Sequence, residues 1–460
     1  MSISAPKLAI ARAAGAISRG SGRGGGTSLP GKVLLRLESD AIEQLSGELS
    51  RGSVVISATN GKTTTASLLA SILRRSGIVA VHNHAGANMP GGIATALLDA
   101  AGHESSDRLG LFEVDEAWTT QIVEETRPRV VLLANLFRDQ LDRYGELETL
   151  ADAWQQMIDA LPAETKVVLN ADDPLLAGLG EGRDNTVYFG IDDDTYAEPT
   201  PRHAADSKFC RRCGHALTYT AVQLGHLGTY HCENCGYSRP KPDVTATAIE
   251  MRGMEGSLVT IAAPNGKINA ELPIPGLYNV YNAVAAAAAA HALSLTSGAI
   301  SGGLAAARAV FGRVETIEIA GHSVAILLIK NPTGANEVLR TISAEHSPFD
   351  LWAALNDKIA DGRDISWIWD ADFEQLAGKV RVVTCSGTRA DELALRLAYA
   401  GIDRSRIKID SKIERSFDAA VAGAVNAATP IFALPTYTSL LELRRAIARR
   451  GDAPTYWDGG

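Results

Sequence analysis

The stretch Ser53-Val-Val-Ile-Ser57 running into Ala-Thr-Asn-Gly-Lys-Thr-Thr-Thr65 constrains the fold more than any other part of the chain. A short β-rich run is closed by a turn, and Leu68, Leu69, Ile72 and Leu73 then recur at helical spacing. A strand that passes straight into a helix leaves the helix's first amides unpaired at the turn, beside the positive end of its dipole. Gly61 lets backbone come close to an anion there. Lys62 supplies a charge for outer phosphates, and the Thr63 hydroxyl is placed to hold Mg²⁺. Thr59, Asn60 and Thr64 complete the cradle. Ile56 stands where a generic phosphate loop has its first glycine.

The alternation continues. Short apolar runs at 109–114, 130–134 and 166–170 are separated by helical stretches such as 147–161. Strands alternating with helices predict a parallel sheet covered on both faces. Glu113 ends one of these runs, at the strand edge where open α/β sheets bind ligands. Beside a phosphate loop it is a candidate Mg²⁺ ligand. The pattern breaks near Pro199 and returns with expected strands at 243–249 and 257–262. The segment 283–295 is mostly alanine, contains His291, and reads as a buried helix rather than a membrane span. A second series starts near Glu315, with apolar runs at 324–329, 350–355, 380–384 and 430–434. The expected organisation is a lead over residues 1–50, an ATP-binding α/β domain over 51–314 with an insert at about 205–240, and a smaller Rossmann-like α/β domain over 315–460.

Composition removes some function classes. The 460 residues are 46% hydrophobic and 21% charged, ordinary values for a globular chain. A formal charge of −9 argues against the basic surface that wrapping nucleic acid requires. Residues 1–37 carry Lys7, Arg12, Arg19, Arg23, Lys32 and Arg36 without an acid. Such a start fits a transit peptide or a basic lead that meets anionic lipid or phosphate, and its glycines at 22 and 24–26 predict flexibility.

The insert holds Cys210-Arg-Arg-Cys213 and Cys232-Glu-Asn-Cys235, with residues 214–231 between them. Two CxxC pairs at that spacing predict a closed four-thiolate Zn²⁺ site that folds a segment lacking its own core. Arg202, Lys208, Arg211, Arg212, Arg239 and Lys241 outnumber Asp206 and Glu233 around it, a modest basic patch with few aromatic residues between. The remaining cysteine, Cys385, reads as a buried strand-end thiol.

Six blocks together resemble the Mur ligases. They are Ala58-Thr-Asn-Gly-Lys-Thr-Thr64, Asn135 with Asp139-Gln-Leu-Asp142, Asn170-Ala-Asp-Asp-Pro174, Gly276-Leu-Tyr-Asn-Val-Tyr-Asn282, Gly312-Arg-Val-Glu315 and Lys330-Asn-Pro332. The resemblance implies that Lys62 and Thr63 bind phosphate and Mg²⁺, that Glu113 ligates Mg²⁺, that Asn170, Asp173 and Asn282 contact the nucleotide, and that Arg313 approaches its phosphates. Gln140, Tyr278 and Lys330 stand where the family has histidines. No lysine lies between Arg143 and Lys166, where many members carry one for a second Mg²⁺; Gln155 falls near that position.

Residues 355–370, the ribbon within the ATP-binding domain, and Gly25-Gly-Thr-Ser-Leu-Pro-Gly31 are similar to one branch of the family, synthetase subunits that pair with a GatD-like glutaminase. That similarity implies a heterodimer working in the cytoplasm at the inner membrane face. Its expected reaction is ATP-dependent amidation of the D-glutamate α-carboxylate of lipid II to D-isoglutamine, through an acyl phosphate and with the partner's ammonia. It implies that the C-terminal domain docks the glutaminase and that an aspartate completes the partner's Cys–His pair. Asp357 is the first candidate, with Asp361 and Asp364 in reserve. Two alternatives stand beside it: a stand-alone ligase joining an amino acid to a carboxylate, and a zinc-ribbon ATPase that binds nucleic acid.

Overall fold

Because a fully buried parallel strand must be apolar on both faces, β1 (Ser53–Ser57), with no exposed position, belongs at the centre of a sheet. The computed structural model places it there. It describes residues 3–20, 28–83, 87–102, 107–138, 147–201, 206–307, 315–345, 348–424 and 431–451. Following β1 are β2 (Val79–His82), β3 (Arg108–Val114), β4 (Val130–Leu133), β5 (Lys166–Asn170) and β6 (Thr186–Ile191). A hairpin of β7 (Thr218–Leu224) and β8 (Leu227–His231) forms a separate two-stranded sheet. Then come β9 (Val244–Met251), β10 (Ser257–Ala263) and β11 (Gly266–Leu272), and the nine-stranded order is β11-β10-β9-β6-β5-β4-β1-β3-β2.

From β2 to β9 the neighbours are parallel, but β10 is antiparallel to both β9 and β11. The sheet is therefore mixed, a correction to the parallel sheet expected from alternation. The cause is local: Pro264-Asn265 is all that joins β10 to β11, and a connection so short joins only antiparallel strands.

Two helices pack on one face, Lys62–Arg75 and the alanine-rich Leu277–Ala292. The small side chains of 283–290 let the latter sit close to the sheet. The opposite face is filled by Phe112, Trp154, Ile93 and their neighbours. The N-terminal segment joins this second face. Helix Ala5–Gly20 lies against Leu29–Leu37, which lies against Pro90–Ala100. Arg12 donates to the carbonyls of Leu98 and Ala101, closing the open end of the last of these helices. Lys7 pairs with Glu38 at 2.8 Å. Part of the lead is thus built into the fold; the glycine run at 22–26 lies outside the described residues.

The second sheet contains β12 (Glu315–Ile319), β13 (His322–Ile326), β14 (Phe349–Ala354), β15 (Val380–Ser386), β16 (Ile407–Ile409) and β17 (Ile431–Pro435), in the order β12-β13-β17-β14-β15-β16. All pairs but β12–β13 are parallel. Its two faces carry separate cores around Phe349 and Trp352. No helix among the described residues is long and apolar enough to cross a membrane.

Candidate nucleotide site and cysteine cluster

At the end of β1 the chain turns through Gly61 at φ +86°. A Cβ there would lie 2.0 Å from Asn282 Oδ1, so both conformation and space demand glycine. Three elements fix the turn. Asn135, past β4, accepts from the Asn60 amide and donates to the Asn60 carbonyl, each at 2.9 Å. Asn331, on the second-sheet side, donates to Asn60 Oδ1 at 3.1 Å while accepting from the Gly334 amide at 2.8 Å. Lys330 Nζ reaches the Thr59 carbonyl at 3.3 Å, and the Thr59 hydroxyl exchanges hydrogen bonds with the Phe137 backbone.

Lys62 is 7% exposed. Its ammonium donates to the Ala58 carbonyl and pairs with Glu116 at 2.7 Å. Burial pulls the lysine pKa down, but Glu116, with Asp115 and Glu113 behind it, outweighs burial and leaves it above the usual value. Burial pushes the Glu116 carboxyl up, and Lys62 and then Lys330 bring it below the usual carboxylate range. Lys62 is therefore charged and held against the turn. In the sequence Glu116 is marked only by its place just after the Glu113 strand end. Thr63 Oγ1 donates to Glu113 Oε1 at 2.8 Å, so the hydroxyl and carboxylate expected to share Mg²⁺ do meet, and this hard oxygen pair suits that ion.

Asn282 faces the turn, its Oδ1 accepting from the Thr65 hydroxyl at 3.3 Å. Asn170 and Asp173, expected to touch nucleotide, have no exposed surface. Asn170 Nδ2 donates to the Ala134 carbonyl at 2.9 Å, and Asp173 accepts from the amides of Leu136 at 3.0 Å and Leu175 at 2.9 Å. Their side chains pin the segment that carries Asn135 instead of facing the cleft. Gln155 spends its amide on Asp159 and the Leu179 carbonyl. Arg313, Asp139, Gln140 and Asp142 lie outside the described residues.

Beside the turn opens a cleft. Asn60, Gly61 and Thr64 form its polar end, Phe137, Tyr278 and Tyr281 its aromatic side, and Leu328 and Val338 its wall from the second sheet's side. A polar end beside the buried Lys62, continuing into an apolar slot, suits a nucleoside triphosphate.

In the insert, Cys210 and Cys235 have their sulfurs 3.5 Å apart, as do Cys213 and Cys232, and all four lie within 4.8 Å. The edge of a tetrahedral Zn–thiolate site is about 3.8 Å, so the set fits one ion. Each pair sits on the same turn: Gly214 and Gly236, at φ +72° and +74°, donate back to the carbonyls of Cys210 and Cys232.

Past β14 the three candidate aspartates differ. Asp357 is about a third exposed (34%), accepting from the Thr388 hydroxyl at 2.8 Å with Arg389 Nε 3.3 Å away. Asp361 is buried, with both oxygens on Thr438. Asp364 is exposed and accepts from the Ser366 amide. Cys385 is buried in β15, where burial pushes its thiol up to about 12.

Comparison with known proteins matches this geometry. Residues 56–238 fit the model of the Mur ligase middle domain, and residues 328–440 that of the MurT ligase C-terminal domain. The chain is 35% identical over 430 residues to subunit MurT of the glutamine-hydrolysing lipid II isoglutaminyl synthase of Streptococcus pneumoniae, covering 93% of each chain. It is 31% identical to the same subunit of Staphylococcus aureus, covering 96% of this chain and 97% of that one. Among solved structures, a pseudomurein peptide ligase type C from Methanothermus fervidus superposes with a TM-score of 0.67 at 24% identity, over 88% of this chain and 80% of that one. The fold is thus that of the Mur ligases, and the chain belongs to the MurT family of lipid II isoglutaminyl synthase subunits.

Proposed function

We propose that this chain uses ATP to activate the α-carboxylate of the stem D-glutamate of lipid II for amidation to D-isoglutamine, with ammonia delivered by a GatD-like glutaminase. The observation that carries this is the turn at 58–64. It gathers a buried, charged lysine, a Thr63–Glu113 pair and a helix N-terminus, and its Asn60, Gly61 and Thr64 line a cleft that the second sheet's side walls. In a MurT-family chain those groups have one consistent use.

The nucleotide's base enters the apolar slot and its phosphates lie along Asn60–Thr64. Lys62 leaves Glu116 for the outer phosphate, and the unpaired amides at the start of helix Lys62–Arg75 hold the rest. Thr63 and Glu113 are the residues that hold Mg²⁺, which supplies charge neutralisation at the triphosphate. A carboxylate oxygen of lipid II attacks the γ-phosphorus and ADP leaves. Ammonia attacks the resulting acyl carbon, phosphate departs, and the nitrogen sheds its extra proton to solvent. Arg313 stands with Lys62 on the phosphates in this reading. Residues 315–460 dock the glutaminase, with Asp357 orienting its histidine. Asp357 has the exposure for this, whereas Asp361 is spent on Thr438. The four thiolates hold Zn²⁺ as a structural ion, and the work is done at the cytoplasmic membrane face, where the lipid-linked substrate is.

The test is a reaction of the chain with a candidate glutaminase, ATP, lipid II and glutamine carrying ¹⁵N in its amide. The expected product is lipid II with one labelled amide, formed in step with phosphate. Product carrying a whole amino acid instead would replace this reading with that of a stand-alone ligase.

A further inference from the structure

The cysteine-bearing insert does more than cover the sheet. Its hairpin β7–β8 turns at Gly225-His226, and the residues on either side, Leu224 and Leu227, line the same cleft as Asn60 and Gly61. They are 5% and 1% exposed, and both pack with the first sheet's core. The tip is fixed from two sides. His226, fully buried, stands over Phe137 with ring centroids 4.8 Å apart. Its Nε2 lies 3.3 Å from Asp173 Oδ1, an ion-pair distance without hydrogen-bond alignment. Asp173 in turn holds the Leu136 amide, next to the Asn135 that clamps the phosphate turn. From the other side Arg340, on helix Pro332–Ser343, donates to the carbonyls of Gln223 and Tyr196. Gly225, at φ +61°, sits so tightly that a Cβ would be 3.0 Å from the Phe137 ring and 3.3 Å from Thr333.

The hairpin is also fastened at its base. Past Cys235, Arg239 donates to Asp172 at 2.6 Å and to Asp192 at 2.9 Å. Asp172 accepts from the Tyr281 hydroxyl at 2.7 Å, one residue before Asn282. Both ends of the ribbon therefore terminate on residues that shape the cleft. The sulfurs that would hold the ion bridge the hairpin's two flanks, residues 210–213 and 232–235.

We propose that this hairpin is the wall that grips the nucleobase, with Leu224 and Leu227 in contact with it, and that loading of the four thiolates sets nucleotide affinity by holding that wall in place. The proposal rests on the nucleotide reading of the cleft given above. A wall that touches only the base contributes to binding ATP and not to binding phosphates alone. That separates its role from the role of Lys62, and from general folding.

The experiment measures the affinity of the full chain for ATP and for inorganic tripolyphosphate, each by competition against a ribose-labelled fluorescent ATP. Replacing both leucines, Leu224→Ala with Leu227→Ala, should weaken ATP by roughly tenfold or more, the scale of lost apolar burial, and leave tripolyphosphate within twofold. The bulkier Leu227→Phe keeps an apolar interior and should give the same split, so a folding defect in the double variant does not block the test. Chain stripped of metal by a chelator should behave like the double variant and recover with added Zn²⁺. Thr220→Ala, on the hairpin's exposed face, should change nothing. ATP affinity within twofold of the parent in both leucine variants overturns the proposal, as does equal loss of ATP and tripolyphosphate. Unchanged ATP affinity in metal-free chain overturns its metal half. Lys62→Ala is the arm that checks the underlying reading: if it leaves tripolyphosphate binding intact, the phosphate turn itself is misassigned, whatever the leucines do.

Discussion

Two strand ends, one in each sheet, are built on the same plan and present different groups. Past β1 the chain turns through Gly61, jammed against Asn282. Past β15 it turns through Gly387, at φ +93°, where a Cβ would be 2.8 Å from Asn356 Oδ1. Each turn is braced by an asparagine that bonds neighbouring loops: Asn135 to Asn60 at one, Asn356 to Thr388 and Thr438 at the other. The difference lies in what the scaffold presents. The first end offers a buried ammonium and unpaired amides and so collects anions. The second, with the loop past β14 packed on it, presents Asp357, beside Arg389, and Asp361, whose oxygens Thr438 holds. One architecture supplies rigid loop positions, and the residue types placed on them decide the chemistry.

That contrast breaks most visibly at Asp357. Asp357→Asn should lower glutaminase turnover of the assembled pair by about 10⁴-fold, the scale for a triad carboxylate replaced by its amide, with ATP affinity unchanged. Glutamine hydrolysis by the variant at the parent rate removes this aspartate from the partner's site. At the first strand end, Glu113→Gln should cut ATP-dependent phosphate release by about 10²-fold and leave glutamine hydrolysis alone. Equal effects on both activities would mean that the two ends are not separate sites. A smaller effect is expected from Asp361→Ala, which removes the acceptor of the half-buried Thr438 amide and hydroxyl and should cost about 1 kcal/mol in a denaturant melt, without a specific loss of glutaminase.

The smallest effect is on the pH profile. Burial lowers the His226 pKa, but Asp173, with Asp206 further off, outweighs burial and raises it. A histidine with a raised folded pKa lends stability that is fully present below its unfolded value of about 6.5 and is lost as pH rises through the folded value. Melting temperature should therefore fall as pH climbs from about 6.5 through that value, and His226→Gln should flatten the slope. An unchanged slope would place the titrating group elsewhere.

Legibility in the sequence followed how local the cause was. The β1 turn, the strands at 109–114 and 166–170, and both CxxC turns were readable because strand, glycine and ligand are adjacent in sequence. The mixed edge was missed because β11 alternates exposed and buried positions, unlike the apolar central runs. The three-residue β16, with two exposed positions, gave no apolar run to find, and β2 offered only the short run Ile78–Val81. In the site, Lys62, Thr63 and Glu113 were legible from the motif. The Lys62–Glu116 pair and the place of Leu224 and Leu227 in the cleft lining were not, because they come from packing between segments far apart in sequence. Asn170 and Asp173 show the converse. The motif located them near the site, but only the structure shows their side chains turned inward to brace Asn135.

The most direct measurement is phosphate release by the chain and its glutaminase on lipid II, comparing parent with Lys62→Ala at saturating ATP and glutamine. The account predicts a loss of about 10²–10³-fold in the variant, while glutamine is still hydrolysed. Turnover equal to the parent would contradict it, because the ammonium at the β1 turn would then take no part in the reaction.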